Sequence, residues 1–550
     1  MNQPQAANLS VLLAQTAALF PERPGLIQGE RVWTWSEINA RVDALVQGLQ
    51  SLGVMAGDKM LVLSRNNVAL FESCWAAFRL GAVWVPTNFR LTPPEVACLG
   101  GSSEATVMLA EDCFAGHVDA VKQACPQLRH VVTIGRARDG EIGYAELVAK
   151  HLGAPTAMAE VDADTPLWYF YTSGTTGRPK AAMLTHGQLA FVVTNHLADL
   201  IPGTDENDCS IAVAPLSHGA GIHALLNVAR GAPTVLLPSD KLVPEVFWQL
   251  VQQHQVSNVF TVPTIVKMLV EDPSVDRFDH SSLRYVVYAG APMYRVDQKR
   301  ALQKLGKVLV QYFGLGEVTD CITVLTPAMH AIDDEDPSSS IGSCGRPRTG
   351  MQVAILDANF QSVPAGTVGE ICCRGPAVFA GYFNNPEATA KAFRGGWFHT
   401  GDLGRMDSRG LLFITGRESD MYISGGSNVY PREVEEVLLT HPAVVEVAVL
   451  GVPDPKWGEV GVAVVVAREP GLTAAVLLVH LEGRCAKYRW PRHLFFWDAL
   501  PKSGYGKVSK KDIRQLLYER GDLKLEATTT ARSPQGPEEG PASQSISPKN

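Results

Sequence analysis

The segment Tyr169–His186, YFYTSGTTGRPKAAMLTH, gathers the groups that an oxyanion site needs. Thr172, Ser173, Thr175 and Thr176 set four hydroxyls beside Gly174 and Gly177. Glycines let the backbone approach a phosphate closely, and their amides donate to it. Hydroxyls add donors, and Lys180 adds a positive charge. The spacing is not that of a Walker loop, G-x-x-x-x-G-K-[ST]. Here Gly174 and Gly177 stand three apart, and Lys180 follows Gly177 by three with Ala181 after it. This is a phosphate loop of another kind, so the reaction must be read from its companions.

Those companions follow along the chain. VAPLSHGAGI places His218 after a strand, and VVYAGAPM closes a strand on the small turn Gly290, Ala291 and Pro292. QYFGLGEVTD brings Tyr312, Phe313, Gly314 and Gly316 up to Glu317, an oxygen ligand of the type a hard cation takes. Asp402 stands in GGWFHTGDLGRMD and Arg417 in ITGRESD. Lys507, flanked by Gly504 and Gly506 in LPKSGYGKVSKKDIR, reads as a point charge on a mobile loop. Each has an ordinary alternative: a tight turn, a satisfied structural histidine, a surface carboxylate, a solvated lysine.

The elements that must position these groups show a change of texture along the chain. From 55 to 325, short β-rich runs alternate with amphipathic segments, as in KMLVLSRN before VALFESCWAAFRLG. That alternation predicts an α/β fold of parallel-type sheets with flanking helices, with ligands beyond the carboxyl ends of the strands. From about 340 to 417, dense Gly and Pro with short strands predict a more antiparallel, barrel-like subdomain. A small α+β domain follows over 421–522, with a helix entered through Pro431. The tail 523–550 is rich in Ser, Thr, Pro and Gly and reads as disordered.

Composition bounds the rest. The 550 residues are 46% hydrophobic and 19% charged, an ordinary globular balance long enough for several cores. A net charge of −8 and a pI near 6.0 give no electrostatic case for nucleic acid. Ten cysteines without a CxxC pair read as reduced, buried thiols of a cytoplasmic protein. The N-terminal segment lacks a basic n-region and reads as an amphipathic helix, and no apolar run reaches transmembrane length. Peripheral membrane contact and a homodimer are left open.

The order of YTSGTTGRPKAAMLTH, FGLGE, FHTGDLGRMD, ITGRESD and GYGKVSKKD resembles the adenylate-forming superfamily: acyl-CoA synthetases, peptide-synthetase adenylation domains and luciferases. The resemblance covers about residues 10 to 520. It implies an adenylation core over 1–417, a hinge at 418–420 and a mobile C-terminal domain that rotates between two half-reactions. A carboxylate first attacks Mg·ATP to give acyl-AMP and pyrophosphate; a thiol then displaces AMP. By the same resemblance the loop Thr172–Lys180 grips the phosphates, Gly290–Pro292 lines the adenine, Phe313 stacks on it, Glu317 holds Mg2+, Asp402 and Arg417 hold the ribose, and Lys507 stabilises the first step. His218 would stand beside the acid. Ser419 marks the hinge, Gly425 and Gly426 the passage for the thiol arm, and Trp457, Tyr488 and Arg492 a surface for coenzyme A.

Four positions depart from the family pattern, among them Ala181 for the usual Gly and Phe313 for the usual Tyr. Gly316 replaces the usual Thr, removing a hydroxyl that would face the α-phosphate, and Ser419 replaces the usual Asp or Lys. Such a lost hydrogen bond to a charged group costs about 1.5–3 kcal/mol, and Thr319 is a candidate substitute. The expected activity is an acid–CoA ligase using ATP, Mg2+ and coenzyme A. The texture of PTNFRLTPPEV and GYFNNPEATAKAF suggests a medium- or long-chain fatty acid; aryl or arylpropenoic acids, transfer to a carrier protein, and a non-catalytic nucleotide binder are the alternatives.

Overall fold

A computed structural model describes residues 8–173, 179–291, 293–335, 340–417, 419–424, 426–502 and 508–523, with Ser173 by its backbone alone. The large N-terminal body holds two sheets with helices packed on them. In the seven-stranded sheet, Lys59–Leu63, Val83–Thr87, Val107–Glu111 and His130–Ile134 run parallel, and one edge is the antiparallel hairpin Pro166–Ser173/Pro179–Thr185. In the nine-stranded sheet, Ser210–Ala212, Asn258–Thr261, Tyr285–Tyr288 and Leu309–Phe313 form the parallel centre. These strands are buried on both faces, which is why they read as unbroken apolar runs rather than alternating ones.

One hydrophobic core joins the two sheets, with Trp84 and Trp168 packed edge to face at 4.6 Å. The flanking helices are punctuated locally. Val68–Leu80 starts where the Asn67 side chain accepts from the Leu70 amide and ends at Gly81, which takes the left-handed turn at φ 71°. The helix after His218 begins at Gly219.

The strands Gln352–Leu356, Gly369–Arg374, Trp397–Met406 and Leu412–Arg417 form the antiparallel subdomain. Beyond the turn at Ser419, the C-terminal domain is built on the long hairpin Val444–Asp454/Gly458–Ala467. The helices Pro431–Leu439 and Ala474–Leu481 pack on one face of this hairpin and Lys510–Glu519 on the other. Polar contacts to the rest include Lys267 Nζ, which donates to the Val445 carbonyl at 3.1 Å, and Arg432 Nη1, which donates to that of Ile414 at 3.4 Å. Among the described residues no helix is long and apolar enough to cross a membrane. The ten cysteines are free; Cys98 and Cys113 are exposed, Cys485 half-buried and the others buried.

Four histidines are buried as neutral rings, and burial holds one of them, His196, well below its ordinary value. Burial pushes His186, His223 and His330 down to about 4. An unfolded histidine titrates near pH 6.5. Below that pH the unfolded chain binds protons that the folded one refuses, so stability is expected to decline from about pH 6.5 to pH 4. Urea midpoints measured across that window check this; a constant midpoint contradicts it.

Candidate active site

The hairpin Pro166–Ser173/Pro179–Thr185 sets the site's geometry. Thr172 lies opposite Lys180 in the pairing, and strand alternation sends Phe170 and Thr172 to the same face. Thr172 Oγ1 donates to Glu317 Oε1 at 2.8 Å, and the hydroxyl of Tyr382 donates to the same oxygen at 2.8 Å. The Tyr382 ring also lies under the Lys180 ammonium, 5.1 Å from Nζ. Burial, and then the charge of Glu317, push the Tyr382 phenol well above its ordinary range, so it remains a donor. Tyr382 thus couples the hairpin lysine to the carboxylate at the end of the neighbouring sheet.

Gly316 takes its meaning from the same place. A Cβ there would lie 2.5 and 2.8 Å from the Phe170 ring and 3.0 Å from Thr172 Cγ2. The Phe170 ring fills the space that a threonine side chain would enter, and it packs 4.5 Å from the ring of half-buried His218. Thr319 does not replace the missing hydroxyl: it is buried and receives a hydrogen bond from Gln188 Nε2 at 2.8 Å.

Strand alternation also separates Tyr312 from Phe313. Phe313 is half-buried between the main core and the antiparallel subdomain. Tyr312 points the other way, buried and stacked on Phe260 at 5.9 Å. Gly314 is tightly packed, since a Cβ would come within 2.3 Å of the Asp320 backbone. Gly290, at φ 79°, and half-buried Ala291 follow the strand ending at Tyr288.

Asp402 and Arg417 face each other across the Trp397–Met406/Leu412–Arg417 pairing, with Arg417 Nε 3.2 Å from Asp402 Oδ1. The carboxylate is buried while the guanidinium is 56% exposed, so its positive group is accessible to a ligand. A scaffold holds this turn. Glu370 Oε2 lies 2.7 Å from His399 Nδ1, Gly401 N donates to Glu370 Oε1 at 3.2 Å, and Thr400 Oγ1 donates to the Ile371 carbonyl.

On the C-terminal domain, Arg492 lies over the Trp457 ring at 5.7 Å, with Lys456 at 5.3 Å. Tyr488 packs on Arg489, which is ion-paired to Glu433. Gly426 takes φ 81° in the hairpin turn, and Ser419 is exposed in the turn after Arg417. Gly174, Thr175, Thr176, Gly177, Pro292, Gly425, Lys507 and residues 524–550 of the tail lie outside the described residues. Phe170, Tyr382, Glu370 and His399 were missed by the sequence reading; their roles come from contacts across the chain that no local spacing reports.

The family model of the AMP-binding enzymes matches residues 13–383, and that of the AMP-binding enzyme C-terminal domain matches 433–507. Feruloyl-CoA synthase of Amycolatopsis sp is 36% identical over 502 residues, covering 91% of this chain and 97% of that one. A medium/long-chain-fatty-acid–CoA ligase of Mycobacterium tuberculosis is 31% identical over 523 residues, with 92% and 90% covered. Among solved structures, the anthranilate CoA ligase AuaEII in complex with anthranoyl-AMP shares the fold, with a TM-score of 0.86 at 24% identity over 95% of this chain and 99% of that one. The chain belongs to the AMP-binding enzymes, the adenylate-forming superfamily. Within it, this is an acid–CoA ligase of the AMP-forming type.

Proposed function

We propose that the enzyme activates an aryl or arylpropenoic acid as its acyl-AMP and transfers the acyl group to coenzyme A. The observation that carries this reading is the group of packed aromatic side chains beside the helix Gly219–Val228. Phe170 packs on His218, and Phe260 stacks on Tyr312 with an interplanar angle of 9°. Flat rings favour offset or edge contacts with other rings, whereas an alkyl chain gains only area from them. The 36% identity to a feruloyl-CoA synthase supports it; the 31% identity to a fatty-acid ligase supports the medium- or long-chain reading as second.

In this mechanism the hairpin Thr172–Lys180 holds the pyrophosphate portion of ATP, and Asp402 with Arg417 holds the ribose. Glu317 fits Mg2+, since its buried carboxylate is oriented by two hydroxyl donors and a hard cation accepts one carboxylate with phosphate oxygens and water. The ion would neutralise phosphate charge. His218 borders the acid, and Lys507 stabilises charge as the carboxylate attacks the α-phosphorus. The C-terminal domain then turns about Ser419, bringing Gly425 and Gly426 to the site for the pantetheine arm and presenting Trp457 and Arg492 to the nucleotide of coenzyme A.

Acid-dependent ATP–pyrophosphate exchange across cinnamates, benzoates and fatty acids of graded length tests this. Turnover confined to fatty acids refutes the aryl assignment. Lys507→Ala is expected to lose exchange by about 10²-fold or more while converting supplied acyl-AMP to acyl-CoA; equal loss of both halves refutes the two-conformation mechanism.

A further inference from the structure

The strands Gly369–Arg374 and Trp397–Met406 bring three unlike metal-ligand types together beside the turn that carries Asp402. Cys372 pairs directly with His399 while Glu370 pairs with Leu403, so Thr400, Gly401 and Asp402 bulge out between the two registers. Glu370 and Cys372 stand two apart on one strand, the spacing that shares a face. Glu370 Oε2 lies 2.7 Å from His399 Nδ1, and Cys372 Sγ lies 3.4 Å from the same nitrogen. One ligand atom from each of the three residues falls within 4.8 Å of the other two. Cys372 and His399 are buried. The Phe360 ring packs edge-on to His399, and Arg394 Nη2 lies 3.8 Å from Glu370 Oε2. These covering side chains are 37% and 43% exposed and that of Glu370 is 19% exposed, so a small ion reaches the cluster from solvent along the carboxylate.

The second ring nitrogen sets the chemistry of the first. His399 Nε2 lies 3.2 Å from the Arg394 carbonyl oxygen, which can only accept. An N–H at Nε2 turns the Nδ1 lone pair toward Glu370 Oε2. Two acceptors 2.7 Å apart need a positive centre shared between them. A proton serves in the metal-free protein. A metal ion serves with the Cys372 sulfur as a third ligand, and a backbone carbonyl behind the ring is the usual support of a metal-bound histidine. Tetrahedral Zn2+ sets neighbouring ligand atoms roughly 3.3–3.6 Å apart. The Nδ1–Sγ distance already has that value, and a small rotation of Glu370 gives it to Nδ1 and Oε2. Thiolate, imidazole and carboxylate together suit Zn2+ and disfavour Mg2+, which takes oxygen ligands.

We propose that Glu370, Cys372 and His399 form a site for a thiophilic divalent cation, Zn2+ being the ion that fits, beside the bulge that carries Asp402. Glu370 Oε1 accepts from Gly401 N at 3.2 Å, so the ion and the bulge share one carboxylate. Binding releases the Cys372 thiol proton to solvent, and water completes the tetrahedron. The site is separate from Glu317 and independent of which acid the enzyme activates.

Co2+, which adopts the geometry of zinc and reports it by colour, is the probe, added to the full-length enzyme without ATP. The accessible thiols are first removed by Cys98→Ser, Cys113→Ser and Cys485→Ser. This background is expected to bind a single Co2+ with a thiolate-to-cobalt charge-transfer band in the near ultraviolet and the strong visible bands of a tetrahedral ion. Zn2+ is expected to displace it and excess Mg2+ to leave it in place; Co2+ held at Glu317 has oxygen ligands and gives no thiolate band. Adding Cys372→Ser is expected to abolish the charge-transfer band. Glu370→Gln keeps an acceptor for Gly401 and is expected to weaken Co2+ binding by about 10- to 100-fold, at least what loss of an outer-shell partner costs. Near-ultraviolet circular dichroism of the metal-free variants separates a lost site from a lost fold. A background without the band, a band that survives Cys372→Ser, or native affinity in Glu370→Gln overturns the proposal.

Discussion

Gly316→Thr is expected to cost about 1–3 kcal/mol of stability and to depress adenylation, the reverse of what restoring a family residue would ordinarily do. The added Cβ would stand 2.5 Å from Phe170 Cδ1, inside any real contact, and the ring is buried at 4% exposure. The ring cannot yield without disturbing His218, 4.5 Å away on its other side. No left-handed φ requires glycine at 316, so the clash is with Phe170 rather than with the backbone. Phe170→Leu in the same chain relieves it, and the pair is expected to be non-additive by about 0.5–3 kcal/mol. Denaturant midpoints and ATP–pyrophosphate exchange for the two single variants and the double check this. Additive effects would mean that Phe170 does not stand in for the missing threonine.

Glu317→Gln is expected to lower the exchange rate about 10²–10³-fold while leaving the fold intact. The amide keeps the size of the carboxylate and an acceptor for Thr172 and Tyr382, which both bond Oε1 at 2.8 Å. What disappears is the negative charge available to a cation. The loss is expected to shrink as Mg2+ is raised if binding is what fails, so a magnesium titration of exchange, with near-ultraviolet circular dichroism as the check on packing, is the measurement. A variant retaining a third or more of the native rate would remove Glu317 from the metal site. Tyr382→Phe takes only one of the two donors and is the milder comparison.

The large features were legible because they are local. Strand–helix alternation marks the parallel sheets, and Pro431 the start of a helix. The contacts that organise the site are not local. Tyr382 reaches Glu317 across 65 residues, and Phe170 meets Gly316 from a strand of the other sheet. Gly316 shows the limit most clearly. In sequence it is a lost hydroxyl; in space it is room for an aromatic ring. Tyr312 and Phe313 are adjacent in a motif that points to adenine, yet pleating turns the first toward Phe260 and away from its neighbour. Of the Trp457, Tyr488 and Arg492 group that the resemblance suggested, Arg492 lies over Trp457 while Tyr488 packs on Arg489.

The thiols give the molecule a native set of handles. Burial pushes Cys209, Cys344 and Cys372 up to about 12, so these cysteines are scarcely ionised at neutral pH and slow toward maleimides. Cys98 and Cys113 stand exposed on the large body and Cys485 is partly exposed on the small domain. In the chain these unengineered positions lie on the two sides of the turn at Ser419, so energy transfer between dyes placed on them tests whether the small domain turns during catalysis, in a chain carrying no substitution at all.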